Sequence, residues 1–161
     1  MLSSQVLSEQ ASAALDAWAR LLRGHATVTR ALNAQLVAEH ALTLKDYEAL
    51  MRLFRAEDNR LRGVDLAEQL ALTASGVTRL LDGLERDGLV ERLICDSDRR
   101  ATYAVLTPTG RDRLEAASQS HLAAIRAVFE ERFSEVEIEQ LASLLARLPE
   151  AARVTGEECA A

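Results

Sequence analysis

Residues 98–110 read Asp-Arg-Arg-Ala-Thr-Tyr-Ala-Val-Leu-Thr-Pro-Thr-Gly, a charged turn followed by a short strand and the first turn of a helix. Thr107 is a typical N-cap residue, and its hydroxyl accepts a hydrogen bond from the first turn of the helix. Pro108 suits the first helical position because that position needs no backbone N–H donor. The segment therefore predicts that a strand runs directly into a helix.

A second predicted strand precedes the charged turn. Residues 89–94 and 101–106 have the length and apolar content of paired strands, and the polar loop 95–100 connects them. Arg99 and Arg100 lie in this loop. The pattern indicates a β-hairpin with two adjacent guanidinium groups at its tip. The negative potential of the minor groove of DNA attracts such groups.

A helix-turn-helix pattern lies directly before the hairpin. Residues 65–70 predict a short helix, residues 71–73 a turn and residues 74–87 a second helix, which Gly88 ends. The second helix has an apolar stripe at i, i+3, i+4 and i+7, formed by Val77, Leu80, Leu81 and Leu84. Its other face is polar, as a helix in a major groove requires. Taken separately, the two patterns also fit a solvated amphipathic helix and an ordinary charged turn, but their order and spacing favour contact with a duplex in two grooves.

The residues before the helix-turn-helix are also predicted to be mainly helical. Residues 5–38 fit one long helix, or two helices in series with a bend at Gly24. Thr43 as N-cap, with Asp46 in the first turn, predicts the start of the next helix. Residues 60–62 predict a small edge strand.

Two helices follow the hairpin. The first is expected to extend to about Arg132, and Ser134 with Glu137 forms a capping box that starts the second, which ends near Leu148. The outer helices carry apolar stripes that so small a core leaves without a partner. They predict pairing with the same helices of a second copy.

Composition and charge set limits on the function. The chain has 161 residues, of which 48% are apolar but only 4% aromatic, so an aliphatic helical core is expected. The net charge is −6, with balances of −1 in residues 1–72, 0 in residues 73–111 and −5 in residues 112–161. The acidic groups are thus concentrated away from the hairpin, and DNA contact depends on the local field. No apolar run approaches a membrane span and no signal peptide is apparent, so a cytoplasmic protein without membrane contact is expected.

The sequence offers little for catalysis or metal binding. Cys95 and Cys159 form neither a disulfide framework nor a metal site, and Cys95 is expected to be an inert thiol. His25, His40 and His121 lack the spacing of zinc ligands. No nucleophile–base pair or phosphate loop is present, so we expect no enzyme, no cofactor and no metal.

Residues 42–114 resemble the winged-helix core of the MarR family of transcriptional regulators. The wing signature of that family, Asp-x-Arg, five residues, then Leu-Thr-x-x-Gly, is matched by Asp98, Arg100, Leu106, Thr107 and Gly110. Residues 72–90 also resemble the recognition helix of the family and its connection to the wing. One departure is Gly83, where the family often has a basic residue.

The resemblance implies a mainly α (α+β) fold with a winged helix-turn-helix DNA-binding domain at residues 41–110. It also implies a helical dimerisation region from residues 1–40 and 111–150, and we expect a flexible tail at 151–161. The expected partners are a second copy of the chain, a pseudo-palindromic double-stranded DNA operator and a small aromatic or phenolic effector. The protein is expected to be a repressor, released from DNA when the effector changes the distance between the two recognition helices.

The resemblance also implies two sets of site residues. In the DNA-binding set, Arg100 enters the minor groove and Asp98 orients it; the full set is Thr73, Ser75, Thr78, Arg79, Arg86, Asp98, Arg99 and Arg100. The predicted effector site combines a stacking ring, a titratable donor, an acceptor and a cation, namely Trp18, His25, Asp46 and Arg92. For these four, a core Trp with surface charges is an equally good interpretation. A winged-helix module that only contacts other proteins is the alternative function.

Overall fold

The computed structural model describes residues 13–94 and 102–148. In order along the chain, the elements are α1 (Ala13–His40), α2 (Leu44–Arg55), β1 (Arg60–Arg62), α3 (Gly63–Gln69), α4 (Ala74–Arg86), β2 (Val90–Ile94), β3 (Thr102–Leu106), α5 (Pro108–Glu130) and α6 (Glu135–Leu145). A short 3-10 turn, Glu57–Asn59, precedes β1. The predicted fold class is confirmed: the chain is mainly helical with one small antiparallel sheet, and α3, α4 and the β2–β3 hairpin form a winged helix-turn-helix.

Helix α1 is continuous from Ala13 to His40. The bend considered at Gly24 is absent, because a single helical glycine lowers helix stability without breaking the backbone hydrogen bonds. The helix packs mainly on α5, and only its second half reaches the core, through Leu32 and Leu36. The first half is therefore left exposed.

The predicted helix starts are confirmed by their caps. Thr43 and Asp46 form a reciprocal capping box at α2, where the Thr43 backbone N–H donates to the Asp46 carboxylate at 2.8 Å. Ser134 and Glu137 do the same at α6, and the hydrogen bonds from Ser134 lower the pKa of Glu137. Helix α6 ends at Leu145, three residues before the predicted end. Helix α3 begins at Gly63, two residues before its predicted start.

The helix-turn-helix is compact. Ala71 adopts a left-handed backbone conformation with φ of 51°, which is unfavourable for residues other than glycine. The next residue, Leu72, donates its N–H to the Ala67 carbonyl at 2.8 Å. Helix α4 begins at the N-cap Thr73 and is followed by Gly88, whose φ of 72° suits the residue that ends a helix. The predicted glycine stop is confirmed.

The sheet has the order β1-β3-β2, with both pairs antiparallel. Ile94 pairs with Thr102 next to the connecting residues 95–101, and Val90 pairs with Leu106 at the base of the hairpin. Side chains alternate between the two faces, so Val90, Ala104 and Leu106 are buried on the inner face. The predicted edge strand at residues 60–62 is confirmed as β1, which lies against β3.

The core is mainly aliphatic and lies within the winged helix, and Leu36 of α1 with Leu114 and Ala117 of α5 completes it. The larger side chains that are almost completely buried are Leu36, Leu42, Leu50, Leu53, Leu66, Leu84, Leu89 and Val90. Among the described residues, no helix combines the length and the apolar character that a membrane crossing requires.

A small polar cluster lies where α5 packs on α2. The Tyr47 and Ser118 hydroxyl oxygens are 3.1 Å apart, and the His121 ring lies 4.6 Å from the Tyr47 ring. His121 is buried, and its Nδ1 has no hydrogen-bond partner within the described part of the chain. Burial lowers the pKa of His121 from its ordinary value, although nearby Glu48 opposes the shift, so burial favours the neutral imidazole.

Helix α5 meets the hairpin base at a close backbone contact. The Thr107 N–H donates to the Leu89 carbonyl at 3.1 Å, and the Thr107 hydroxyl donates to the Gly88 carbonyl at 2.7 Å. A Cβ on Gly110 would lie 2.9 Å from the Leu89 carbonyl carbon and closer still to its oxygen. The glycine of the wing signature is therefore required by packing.

We expect Gly110→Ala to destabilise the protein by about 3 kcal/mol, because backbone atoms of Leu89 would have to move to admit the methyl group. Gly83→Ala is the control, since its Cβ would make only an ordinary 3.5 Å contact with the flexible Arg86 side chain. It should stabilise the protein by about 0.5–1 kcal/mol, because alanine is the better helix former. Urea unfolding measures both changes, and equal stability of the two variants would contradict the packing argument.

Candidate nucleic-acid interface

The N-terminal turn of α4 presents a polar surface. Thr73, Ser75, Thr78 and Arg79 are all exposed. The Thr73 hydroxyl accepts from the Gly76 N–H at 3.1 Å, and the Thr78 hydroxyl donates to the Ala74 carbonyl at 2.8 Å. These bonds hold both side chains against the helix, and each hydroxyl oxygen retains capacity for a further hydrogen bond.

Arg79 and Arg86 differ in their surroundings. The Arg79 side chain makes no hydrogen bond or ion pair with the described residues, so its guanidinium has all five donors available. Arg86 is 78% exposed and lies 3.9 Å from the Asp87 carboxylate, a weak contact at the surface. Helix α4 therefore carries one unpaired and one weakly paired cation on its exposed side.

Arg92 connects the sheet to the recognition helix. It lies on β2, and its guanidinium donates to the Asp82 carboxylate at 2.7 Å and contacts the Glu85 carboxylate at 3.3 Å. It also donates to the Thr78 carbonyl at 3.2 Å. Both carboxylates belong to α4, so Arg92 fixes the helix against the hairpin. Its single positive charge offsets one of their two negative charges near the polar surface.

The hairpin tip lies outside the described residues. Asp98, Arg99, Arg100 and Cys95 belong to residues 95–101, which connect the paired ends at Ile94 and Thr102. The hairpin strands adjoin α4 through β2, so the chain enters and leaves the tip beside the recognition helix. The roles of the tip residues stay predictions.

The predicted effector residues lie on three elements. Trp18 and His25 are exposed on the first half of α1, and Trp18 is 60% exposed. Asp46 is occupied by the capping box of α2, where it accepts from the Thr43 N–H and hydroxyl. Arg92 is bound to α4. Within one chain, the Asp46 carboxylate is therefore bonded to Thr43 and the Arg92 guanidinium to α4.

Sequence reasoning missed a groove of about 730 Å³ beside α4. It lies between α3, α4 and the inner side of the sheet, and its lining includes Arg62, Val64, Glu68, Leu72, Thr78, Leu81, Arg92 and Ala104. The walls combine apolar side chains with the charged side chains of Arg62, Glu68 and Arg92. Apolar walls with a few polar groups are common in small-molecule sites. No local pattern reveals it, because its residues come from five elements.

The described residues hold no group of three or more His, Cys, Asp or Glu side chains suited to binding a metal ion. The candidate binding features of this region are thus the polar surface of α4, which offers hydrogen-bond donors and acceptors, and the groove, which offers apolar walls.

Sequence comparisons identify related proteins. The profile of the MarR family matches residues 42–102. The HTH-type transcriptional repressor YetL of Bacillus subtilis is 37% identical over 111 residues, which are 69% of this chain and 66% of that protein. The HTH-type transcriptional regulator PrsX of Escherichia coli is 30% identical over 95 residues, 57% of each protein. The chain thus spans less than two thirds of the length of these curated relatives.

Solved structures extend the likeness beyond the winged helix. Sco3205, a MarR family transcriptional regulator from Streptomyces coelicolor solved in complex with DNA, aligns with a TM-score of 0.73 at 26% identity and covers 80% of each chain. AbsC, a MarR family transcriptional regulator from the same organism, aligns with a TM-score of 0.69 at 31% identity and covers 84% of this chain and 93% of its own. The helix-turn-helix, the hairpin and the wing signature agree with these matches, and the chain belongs to the MarR family.

Proposed function

We propose that this protein is a dimeric DNA-binding transcriptional regulator, a repressor that a small effector releases from a pseudo-palindromic operator. The observation that carries the proposal is the polar N-terminal surface of α4 beside a hairpin whose connecting residues include Arg99 and Arg100. A helix of this kind reads base edges in the major groove, and an arginine-tipped hairpin suits the adjacent minor groove.

The α4 residues have the chemistry that this role needs. Arg79 offers a planar pair of donors to guanine or phosphate, and Ser75 and Thr78 offer hydroxyls. Arg86, at the other end of the helix, suits a phosphate contact. Thr73 supports the N-terminus of α4, whose backbone N–H groups favour a nearby phosphate.

The negative net charge does not oppose this role. Exposed charges interact over a Debye length of about 8 Å at physiological salt, so acidic residues of α6 have little effect at α4. The acids that lie on α4 itself, Asp82 and Glu85, are both paired with Arg92. Arg92 offsets one of these two charges, and Arg79 and Arg86 on the same helix balance the other, so the DNA-facing region is locally close to neutral.

Exposed apolar side chains support a homodimer through residues 1–40 and 111–150. On α1 they are Leu15, Trp18, Leu21 and Leu22, and on and around α6 they are Phe133, Val136, Leu144 and Leu148. The α1 residues recur at helical spacing and form one stripe, a pattern typical of helix–helix contact. In this division, residues 41–110 form the DNA-binding domain; the tail at 151–161 lies outside the described residues.

An aromatic anion is the effector class that the side chains favour. Arg92 lies at the edge of the groove, where an anionic effector would compete with Asp82 and Glu85 for its guanidinium. Trp18 and His25 would complete a site with Arg92 and Asp46 only if the partner subunit brings α1 close to the winged helix. An effector that favours another separation of the recognition helices moves the population away from the DNA-bound state. Benzoate derivatives that bind without lowering DNA affinity, measured by fluorescence anisotropy, would contradict this part of the proposal.

The DNA contacts are tested with a duplex that the protein itself selects from a random pool. Arg100→Ala and Arg79→Ala should each weaken binding by about 1–3 kcal/mol, because each removes a charged contact to the duplex. Arg79→Ala should also relax base preference. Arg132→Ala is the control, since Arg132 is an exposed arginine in the turn between α5 and α6. Fluorescence anisotropy across a salt series gives the affinities. If neither Arg79→Ala nor Arg100→Ala changes the affinity, the alternative of a winged-helix module that only contacts other proteins would be favoured.

Arg92→Gln should weaken both folding and DNA binding. We expect a loss of about 1 kcal/mol in stability, a value reduced for solvent screening because Asp82 and Glu85 are half exposed. DNA affinity should fall further, because two unpaired carboxylates would then repel phosphates. Arg20→Gln is the control, since its pair with Asp16 is exposed on both sides and should contribute little. Unchanged DNA affinity in Arg92→Gln would contradict the charge argument.

The dimer is tested by placing a charge in the exposed stripe. Leu22→Asp should convert the wild-type dimer, at twice 17.6 kDa, to a monomer, because the carboxylate would be buried between helices. Leu93→Asp is the control: Leu93 is 47% exposed, close to the 52% of Leu22, but lies on the sheet. Sedimentation equilibrium measures the mass. A monomeric wild-type protein would contradict the proposed assembly.

A further inference from the structure

Helix α5 is buried only along its first half. The residues of α5 that are buried all lie before Leu122, and they are Gly110, Leu114, Ala117, Ser118 and His121. His121 lies about 20 Å along the helix from Pro108, at 1.5 Å per residue. It is therefore the last buried position of α5, at the point where this helix leaves the winged helix and continues towards α6.

The side chain of His121 packs against α2. It is 4% exposed, and its ring centroid lies 4.6 Å from that of Tyr47. The Tyr47 and Ser118 hydroxyl oxygens are 3.1 Å apart, and the Ser118 hydroxyl also donates to the Leu114 carbonyl at 2.8 Å. The two hydroxyl groups next to His121 are thus bonded to each other, and an aromatic ring covers one side of the imidazole.

On α2, the charged group that acts on His121 is Glu48, which favours the protonated imidazole. The Glu48 carboxylate accepts from the Lys45 Nζ at 2.7 Å, and its side chain is 39% exposed. The lysine charge and the solvent both reduce its field at His121. Leu50 and Met51, which are buried on the same helix, carry no charge.

The groups of α1 that reach this part of α5 bond to Ser120 and not to His121. The His40 Nε2 lies 2.7 Å from the Ser120 hydroxyl and 3.7 Å from the Glu39 carboxylate, and the Gln35 amide donates to Ser120 at 3.0 Å. On α5 itself, the residues one turn away from His121 are uncharged, namely Ala117, Ser118, Ala124 and Ile125. Neither helix therefore supplies a carboxylate that bonds to the imidazole.

A proton on His121 would leave a charged donor without an acceptor. The Nδ1 atom is buried and has no hydrogen-bond partner within the described part of the chain. In a neutral imidazole with its proton on Nε2, this atom is an unused acceptor, whereas in the imidazolium it is an N–H donor. Burying a charged donor that lacks a partner costs more than burying a neutral ring. Protonation therefore favours arrangements in which the imidazole reaches water.

We propose that His121 makes the contact between α2 and α5 sensitive to protons, so that acid shifts the population towards an arrangement in which this part of α5 separates from α2 and DNA affinity falls. The effect on DNA rests on the proposed function. The start of α5 is bonded to the end of the recognition helix through Thr107, and its far end leads to the helices of the proposed dimer. A change at His121 alters the direction of one end relative to the other, and hence the spacing of the two recognition helices.

The first test is urea unfolding of the full chain between about pH 8 and pH 5, the range in which histidines titrate. Burial holds the pKa of His121 below its ordinary value of 6.5, so the unfolded chain binds more protons once the pH falls below 6.5. The wild type should therefore lose stability as the pH falls through this range. The slope of stability against pH should correspond to up to about one more proton per chain than in variants without His121.

Two variants remove the titrating group in different ways. His121→Gln keeps a polar side chain, and His121→Phe keeps a ring against Tyr47, which provides a folded variant if the glutamine is not tolerated. Both should show a flatter dependence of stability on pH than the wild type. His40→Gln is the matched control, because His40 also contacts α5 but has the Ser120 hydroxyl as a partner. It should keep the acid sensitivity of the wild type.

The second test measures affinity for the self-selected duplex over the same pH range, at constant ionic strength, by fluorescence anisotropy. Below pH 6.5, log affinity should fall more steeply with decreasing pH in the wild type than in either His121 variant, by up to about one per protomer in the slope. His40→Gln should have the slope of the wild type. Comparison at each pH removes effects of acid on the other charged groups, which the variants share.

Equal pH slopes of stability in the wild type and the His121 variants would overturn the inference. An acid-sensitive stability with equal pH slopes of DNA affinity would also overturn it, because His121 would then have a purely structural role. If the wild type binds the duplex at pH 7.5 but these slopes are equal, only this inference fails. If the wild type binds no duplex at that pH, the proposed function fails and the inference fails with it.

Discussion

The recognition helix, the hairpin and the long outer helix are joined where α4 ends and α5 begins. The carbonyls of Gly88 and Leu89, which follow α4, accept hydrogen bonds from the hydroxyl and the N–H of Thr107, the N-cap of α5. The same hydroxyl accepts from the Gly110 N–H at 2.9 Å. One threonine thus satisfies backbone groups of both helices, and the missing side chain of Gly110 lets them approach. Displacing this contact would change the direction of α4, β2 and α5 together.

Charge is arranged on a similarly local scale. The chain is acidic as a whole, yet the carboxylates on the recognition helix are paired with Arg92 from the neighbouring strand. That pairing has two physical effects, since it holds α4 against the sheet and reduces the repulsion where a polyanion would approach. An acidic protein can therefore present a DNA-facing surface without a large basic patch, although its non-specific binding is then expected to be weak.

The features that the sequence predicts well are those set by near neighbours. The caps at Thr43, Thr107 and Ser134 and the stop at Gly88 each depend on residues within one helical turn, and the structure confirms all four. The edge strand β1 was also predicted, although its partner β3 lies far away in the sequence. Gly24 shows the limit of such reasoning, because neighbouring turns maintain a helix through an isolated glycine.

Features that depend on distant residues were harder to predict. The side chain of Arg92 reaches three residues of α4, a contact that requires the sheet and helix to be packed first. The groove beside α4 likewise joins residues that are far apart in the sequence. The buried His121 gave no signal either, because its partners lie on α2, more than 70 residues earlier.

The junction also limits how an effector can act on DNA binding in the proposed dimer. Because α4, the hairpin and α5 share backbone hydrogen bonds, the recognition helix is expected to move with α5 and not alone. Helix α5 has 23 residues and is about 35 Å long at 1.5 Å per residue. If the dimer forms through α1 and α6, a tilt of α5 by about 5° near that interface moves its other end by about 3 Å, given this length. A displacement of that size in each protomer exceeds the range over which a hydrogen bond to a base edge survives. A small rotation between the outer helices is therefore sufficient to release both recognition helices while each winged helix keeps its internal structure.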